Sequence, residues 1–361
     1  MTSRLTGLIR PLTAIPAALV SVGILLALTG DDPFSAMATL ADGAFGSSQR
    51  TGETLTSFVP LALTGLAVAI GFRAGLFNIG AEGQLLMGAL SAAAAGPFLA
   101  DVPPVLSVPF VMVLGMLSGA LWGFIPGYLK AVRDANEVIT TLMLSYVAFF
   151  VTEYLVTGPL KTDGVLPATD LLPEMLRLPR LTEPGQVGIP DLGRLHAGVF
   201  VALAALAVAA FIAHRTTFGL RSRLVGRSVT ASEYAGLDVR RTIIQTMALS
   251  GSIAGLAGAV QVLGVSYRLS SSFSPGFGFT GIAIALLGNL TAIGVLLAAL
   301  LFAVLQTGGQ VMQRLSGTPS SIVTIIQGLI ILFVATRISG IKQVSTMLVR
   351  RKARGRRRGE E

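Results

Sequence analysis

Residues 77–84 read FNIGAEGQ and set a carboxylate, Glu82, between two amides, Asn78 and Gln84, with apolar sequence on either side. A carboxylate accepts hydrogen bonds and an amide both donates and accepts them, so these groups can hold a polar solute or an irregular stretch of backbone. Gly75, Gly80 and Gly83 surround them and permit backbone shapes closed to other residues. No catalytic constellation accompanies the trio. The chain has no cysteine, which removes thiol chemistry and any disulfide framework. Its two histidines, His196 and His214, stand at the ends of one apolar run and its acids are not clustered, which argues against a metal site. There is no GxxxxGK[ST] pattern to cradle ATP phosphates, and no serine, histidine and aspartate at a spacing that supports a triad. The chemistry left is recognition without bond making.

A second stretch of the same kind, SSSFSPGFGFTGIAIALLGN at 270–289, lies in the other half of the chain, about 200 residues on. Both stretches combine glycine, phenylalanine and polar side chains, and both interrupt apolar sequence. Paired interruptions in corresponding halves are the sequence pattern of a transport site. Unwound backbone at membrane depth survives only when buried in protein or lining a cavity. A carboxylate left in lipid costs roughly 2.5–3.5 kcal/mol on insertion scales, so Glu82 must face protein or water. Two readings of Glu82 stay open. It touches a solute, or it sits at the start of a helix after a tight turn, where the helix dipole favours it.

The elements that position these residues are membrane helices. Only 12% of the residues are charged and the mean hydropathy is +0.75, against roughly a quarter charged in soluble domains. The run 196–213, HAGVFVALAALAVAAFIA, carries no formal charge with His196 neutral and is about long enough to cross a ~30 Å hydrocarbon core. Hydropathy divides the chain into about ten segments: 11–29, 57–72, 83–100, 104–129, 138–158, 195–214, 243–265, 279–290, 293–312 and 320–338. The eighth is too short to span alone; it borrows from 272–278 or is a broken helix. The first is long for a signal peptide and is read as a retained helix. GLAVAIG at 65–71 and GSIAGLAGA at 251–259 suit close helix packing.

The net charge of +9 does not indicate nucleic acid, because the basic residues lie in loops and tail, as topology determinants do. Cytoplasmic termini put 130–137, the 215–242 loop with its six arginines, and the tail from Lys342 with its eight basic residues inside. The outside loops are then 30–56, with four acids and one arginine, and 159–194, rich in proline and glycine. The latter is expected to hold one short amphipathic helix around Leu171–Leu178. Domain organisation follows: a transmembrane domain over 1–341 and a basic tail over 342–361, near anionic lipid. Within 215–242, Ala231, Tyr234, Ala235 and Leu237 predict a short helix outside the membrane that Gly236 stops.

Four stretches in this order, GLFNIGAEGQLLMGAL, NEVITTLMLSYVAFFVTEYLVTGPLK at 136–161, GLRSRLVGRSVTASEYAGLDVRRT and FGFTGIAIALLGN, resemble the permease subunits of ATP-binding cassette (ABC) importers of the ribose and branched-chain amino acid superfamily. The likeness is strongest to the nucleoside branch, whose permeases work with a BMP-type lipoprotein, and covers nearly the whole chain. It implies an all-α polytopic fold of the type II importer kind, in the cell membrane. It also implies a second homologous permease, a cytoplasmic ABC ATPase that holds the ATP and Mg, and an external binding lipoprotein. The permease itself carries no cofactor and no ATPase site. The resemblance places a coupling helix within 225–238, with Arg223, Gly226, Glu233, Tyr234, Ala235, Gly236 and Leu237 as docking residues. One departure is the stretch GNLTAIG at 288–294, where related permeases carry a proline after ALLG.

The expected function is therefore the membrane path of an ATP-driven importer for nucleosides or related simple sugars. A nucleoside's flat base and ribose suit aromatic faces and amides. Phe77, Asn78, Glu82, Gln84, Phe277, Phe279 and Asn289, with Asn136, Glu137 and Tyr146, are the candidate contacts. The rivals are an ion-coupled secondary transporter, which needs no docking helix, and a structural or lipid-scrambling membrane protein.

Overall fold

The computed structural model describes residues 32–182, 191–316, 322–329 and 332. The described residues form helices and turns, with two isolated bridges, Ala168 with Ser270 and Arg180 with His196, in place of any sheet. In order the helices are α1 (Pro33–Phe45), α2 (Ser48–Arg73), α3 (Ala81–Ala95), α4 (Pro104–Arg133), α5 (Glu137–Thr157), α6 (Gly198–Arg215), α7 (Thr217–Arg227), α8 (Val229–Tyr234), α9 (Val239–Gln261), α10 (Phe277–Leu287) and α11 (Ala292–Ser316). Six of the described helices are long and apolar enough to cross a membrane: α2, α4, α5, α6, α9 with the π-turn that extends it, and α11. The segment expected at 11–29, the end of the one expected at 320–338, and the tail from 342 lie outside the described residues.

Contacts divide the chain into two units, Met1–Leu40 with Gly309–Glu361, and Ala41–Gly308. In the first, the helical turn 322–329 brings Val323 against Gly309. The second holds α2 to α10 and the sites described below.

Its core is built on missing side chains. Gly115, Gly119 and Gly123 of α4 repeat every fourth residue and so share one helix face. A Cβ on Gly119 would come 2.3 Å from the Gly251 carbonyl oxygen of α9, and one on Gly255 would come 2.2 Å from that of Gly115. From the other side, a Cβ on Gly88 of α3 would sit 2.1 Å from the Gly255 oxygen. Helices α3, α4 and α9 thus meet backbone to backbone, the contact that small residues make possible in a membrane. Helices α2 and α9 are the inner ones, 78% buried over their most apolar windows, while α4 and α5 are 22% buried and turn long apolar faces outward.

Two expectations need correction, and one open alternative is resolved. The 30–56 stretch is not simply a loop: Asp32 accepts from the Phe34 and Ser35 N–H groups at 3.1 and 3.3 Å and caps α1, and Pro33 follows, fitting a first helical position. The eighth segment is the broken helix of the two alternatives and takes only Phe277 and Gly278 from 272–278. It starts at Phe277 after Gly276 in the left-handed region (φ 89°) and runs about 16 Å, half a bilayer core. Around Leu171–Leu178 there is one 3₁₀ turn, Glu174–Leu176, in place of a helix. Pro173 is extended there, and the N–H groups of Leu172 and Leu178 donate instead to the Tyr267 and Leu263 carbonyls.

Candidate functional site

The two interrupted segments meet. The turn between α2 and α3 is held by Asn78, which is fully buried. Its Nδ2 donates to Gln84 Oε1 at 3.0 Å and to Ser250 Oγ at 2.8 Å, and its Oδ1 accepts from the Gly80 N–H at 2.9 Å. Ser250 Oγ in turn donates to the Ala67 carbonyl at 2.6 Å. This network ties α2, α3 and α9 together and leaves the two amides satisfied by protein.

Glu82 follows in the first turn of α3 and points across to α10. Its Oε2 accepts from the Gly278 N–H at 2.6 Å, and the Ser274 hydroxyl and Phe279 N–H lie close to the same carboxylate. A helix N-terminus leaves its first N–H groups unpaired and carries positive dipole charge, so Glu82 closes the start of the half-length α10. The approach requires glycine: a Cβ on Gly278 would come 2.2 Å from the Glu82 nitrogen.

Beside this junction is a cavity of about 330 Å³, at the small end of the ~300–1,000 Å³ typical of small-molecule sites. Glu82 and Leu86 of α3 form one wall. The segment from Ser270 to Phe279 forms a second, and one face of α5 from Ser145 to Glu153 a third. The α5 face carries Tyr146, Phe149, Phe150 and Glu153, at i, i+3, i+4 and i+7, the spacing that stacks side chains on one side of a helix. Phe149 and Phe150 meet edge to face with centroids 5.6 Å apart, and Phe150 is 65% exposed. Two hydroxyls lining the cavity, Thr152 Oγ1 of α5 and Ser271 Oγ of the second wall, are buried without a hydrogen-bond partner among the described residues. The cavity offers aromatic faces, a carboxylate free of any ion pair among the described residues, and hydroxyls with unspent donors.

Of the residues expected at the site, Glu82, Tyr146 and Phe279 line this cavity. The others lie elsewhere. Phe277 is buried and its carbonyl accepts from Thr64 Oγ1 at 3.0 Å. Phe77 stacks at a tilt on Phe72, 4.9 Å between centroids. Asn136 caps α5 by accepting from Val138 N–H at 3.0 Å, Glu137 pairs with Lys130 at 3.3 Å, and Asn289 (φ 50°) turns the chain between α10 and α11. Sequence reasoning missed Glu153, Thr152, Phe149, Phe150 and the serines at 270, 271 and 274. The signal was present in the helical stripe of YVAFFVTE, with a second intramembrane carboxylate at its end.

The stretch 215–242 folds as two short helices. Thr216 caps α7 and Ser228 caps α8, and Gly236 (φ 75°) follows α8. Glu233, Tyr234, Ala235 and Gly236 are exposed, Tyr234 by 91%, while Leu237 is half-buried. Gly226 plays a different part. A Cβ there would lie 2.3 Å from the Arg73 carbonyl oxygen, and Gly75 (φ 74°) rests on the Gly226 backbone. Ala74 and Leu76 share a buried apolar cluster with Val225, Val239, Ile243 and Met247. The loop outside the membrane is thus packed onto the turn that leads to Glu82.

On the far side, loop residues 159–182 are stapled over the other break. Thr169 N–H donates to the Leu269 carbonyl at 2.9 Å, and Leu269 N–H to Thr169 Oγ1 at 3.0 Å. His196 is 1% exposed and lies against Gly198 and Gly264. Its Nδ1 accepts from the Gly198 N–H at 3.0 Å, and its Nε2 is buried without a partner among the described residues. Burial pushes this imidazole down to about 4. A group whose folded pKa lies below its unfolded value near 6.5 gives stability that is complete above 6.5 and falls as pH drops toward 4. The expected loss is about 2 kcal/mol by pH 5. Thermal unfolding followed from pH 7.5 to 5 should show this slope, and His196→Gln should flatten it.

The family described as "Branched-chain amino acid transport system / permease component" matches residues 51–335. The chain is 42% identical over 337 residues to the guanosine ABC transporter permease protein NupP of Bacillus subtilis (strain 168), covering 93% of this chain and 95% of that one. It is 36% identical over 339 residues to the nucleoside ABC transporter permease protein NupB of Lactococcus lactis subsp. cremoris (strain MG1363), covering 93% of each. It is 38% identical over 332 residues to the glucose ABC transporter permease protein TsgB13 of Haloferax volcanii, covering 90% of this chain and 86% of that one. No solved structure matches.

Proposed function

The chain belongs to the family of branched-chain amino acid transport system permease components, and we propose that it forms the membrane path of an ATP-driven importer for nucleosides or related simple sugars. The observation that carries the solute class is the cavity at the junction of the two interrupted segments. Its phenylalanines and Tyr146 suit a flat base, and Glu153, Thr152 and Ser271 suit ribose hydroxyls. Family membership sets aside the ion-coupled carrier and the scrambling protein.

In this reading the chain makes no bonds. ATP and Mg belong to a cytoplasmic ABC ATPase that docks on α8 and the exposed residues Glu233 to Gly236. A second permease closes the cavity on the side where Tyr146, Phe150 and Phe279 are exposed. An external BMP-type lipoprotein delivers solute to the face covered by the 159–194 loop. The chain crosses the cell membrane about ten times in the type II arrangement with both termini cytoplasmic, as the arginine-rich 215–242 stretch supports under the positive-inside rule. Asn78, Gln84 and Asn289 then act by holding the breaks, and Glu82 by joining them.

The reading is tested by reconstituting the chain with its second permease and ATPase and measuring ATP-dependent uptake in competition with guanosine, other nucleosides and glucose. Nucleosides should compete and glucose should compete weakly; the reverse order would make the solute a hexose. Glu153→Gln should raise the KM for uptake about tenfold, since a hydrogen bond to a charged group contributes ~1.5–3 kcal/mol, and leave the maximal rate within a factor of about two. An unchanged KM would remove Glu153 from the solute site.

A further inference from the structure

A second cavity in the same unit has the opposite chemistry. It holds about 370 Å³ between α2, α6, α7 and α9. Val201, Ala205, Val208 and Ile212 of α6 form one side, and Ile253 and Leu256 of α9 face them. From Val201 to Ala213 that side runs about 18 Å, close to the ~15 Å of hydrocarbon in one leaflet. Ser222 and Ser252 in its wall donate to carbonyls of their own helices, Phe218 and Leu249, each at 2.8 Å. The groove therefore offers no free hydroxyl to a polar solute.

Its charged residues are Arg73 and Arg223, at the end where α2 stops. Both side chains line the same groove. Among the described residues neither is paired with a carboxylate. Arg223 Nη2 donates to the Ala213 carbonyl at 2.5 Å, and the other N–H groups of both side chains make no hydrogen bond among the described residues. Like charges held together in a partly buried place are unfavourable unless an anion joins them.

We propose that this groove binds one anionic phospholipid of the cytoplasmic leaflet, an acyl chain lying along α6 and the phosphate bridging Arg73 and Arg223. A phosphate supplies the missing counter-charge, and guanidinium forks match its oxygens. A leaflet-length apolar groove ending in basic residues is the shape a lipid fits and a soluble anion does not. Arg73 directly precedes the turn that rests on Gly226, so the bound lipid braces α7 against that turn. The leaflet rests on the orientation proposed above; the lipid's presence does not.

The test uses the complete transporter in nanodiscs of mixed phosphatidylglycerol and phosphatidylcholine, with lipids retained after extraction counted by native mass spectrometry. Wild type should keep phosphatidylglycerol over phosphatidylcholine, and the double variant Arg73→Gln, Arg223→Gln should lose about tenfold or more of it, near the effect of two basic contacts. Ala205→Trp, which fills the groove and spares both arginines, should lose it as well, so misfolding of one variant leaves the other to decide. Equal retention of the two lipids, or undiminished phosphatidylglycerol in both variants, would overturn the proposal. So would a photocrosslinker at Val208 that captures residues 1–31 or another subunit instead of lipid. Retention is read by mass, so it stands or fails apart from whether the solute proves to be a nucleoside.

Discussion

Glu82→Ala is expected to lower uptake about a hundredfold, the loss of roughly 3 kcal/mol, while Glu82→Gln keeps it within severalfold. The carboxylate is 7% exposed and accepts from the Gly278 N–H at 2.6 Å, with Phe279 N–H and the Ser274 hydroxyl beside it. Alanine would leave the first N–H groups of α10 unpaired in a place water reaches poorly, and a buried unpaired donor costs about 1–3 kcal/mol. Glutamine keeps the length and one acceptor oxygen, so it can still close the helix. The pair of variants separates the two readings of this residue. If Glu82 joins the broken segments, the order is wild type, Gln, then Ala far below. If its charge meets the solute, Gln falls as far as Ala, and the joining role is lost as an explanation. Uptake by reconstituted transporter, alongside yield and pairing with the second permease, measures this.

Much of that junction was legible in the chain. FNIGAEGQ and SPGFGF stand out because they put glycine and polar groups inside apolar runs, and such groups must be buried in protein or line a cavity. Their contact with each other was a matter of paired halves, and Glu82 and Gly278 realise it. What the residues do there was less legible. Asn78 finds Ser250, 172 positions away, and no spacing in sequence announces a bond of that reach. With that partner both Nδ2 donors of Asn78 are spent within the chain. Glu153 is hard to read from sequence because it lies in a long apolar helix, and only the i, i+3, i+4, i+7 stripe sets it on the Phe149 face. The α1 helix was missed because DDPF looks like loop. Asp and Pro at a helix start are capping signals as much as they are loop signals.

The same logic links the site to the loop that is proposed to receive work from ATP. The turn from Arg73 to Gly80 has Gly226 on one side and the Asn78 network on the other, and α3 with Glu82 begins where it ends. A shift of α7 therefore bears on α10 through a short series of packed backbone contacts and side-chain hydrogen bonds. The contacts at its two ends, Gly226 on Arg73 and Gly278 on Glu82, are too close for a side chain, which suits two discrete packings better than gradual bending.

Gly226→Leu should therefore uncouple the transporter, with uptake falling about a hundredfold while the ATPase stays bound and keeps its basal hydrolysis. A Cβ at 226 would come 2.3 Å from the Arg73 oxygen and 2.8 Å from the Ala74 carbonyl carbon. These are backbone atoms that cannot swing aside, so α7 must lift away from the turn. Hydrolysis would then move α7 and α8 without moving α3. Tyr234→Ala gives the contrast. Tyr234 is 91% exposed and touches little of its own chain, so its loss should weaken ATPase docking and leave the permease fold intact. Measuring ATPase co-purification and solute-stimulated hydrolysis in both variants distinguishes a broken interface from a broken transmission. If Gly226→Leu released the ATPase as Tyr234→Ala does, Gly226 would belong to the docking surface, and the path from it to Glu82 would carry no coupling.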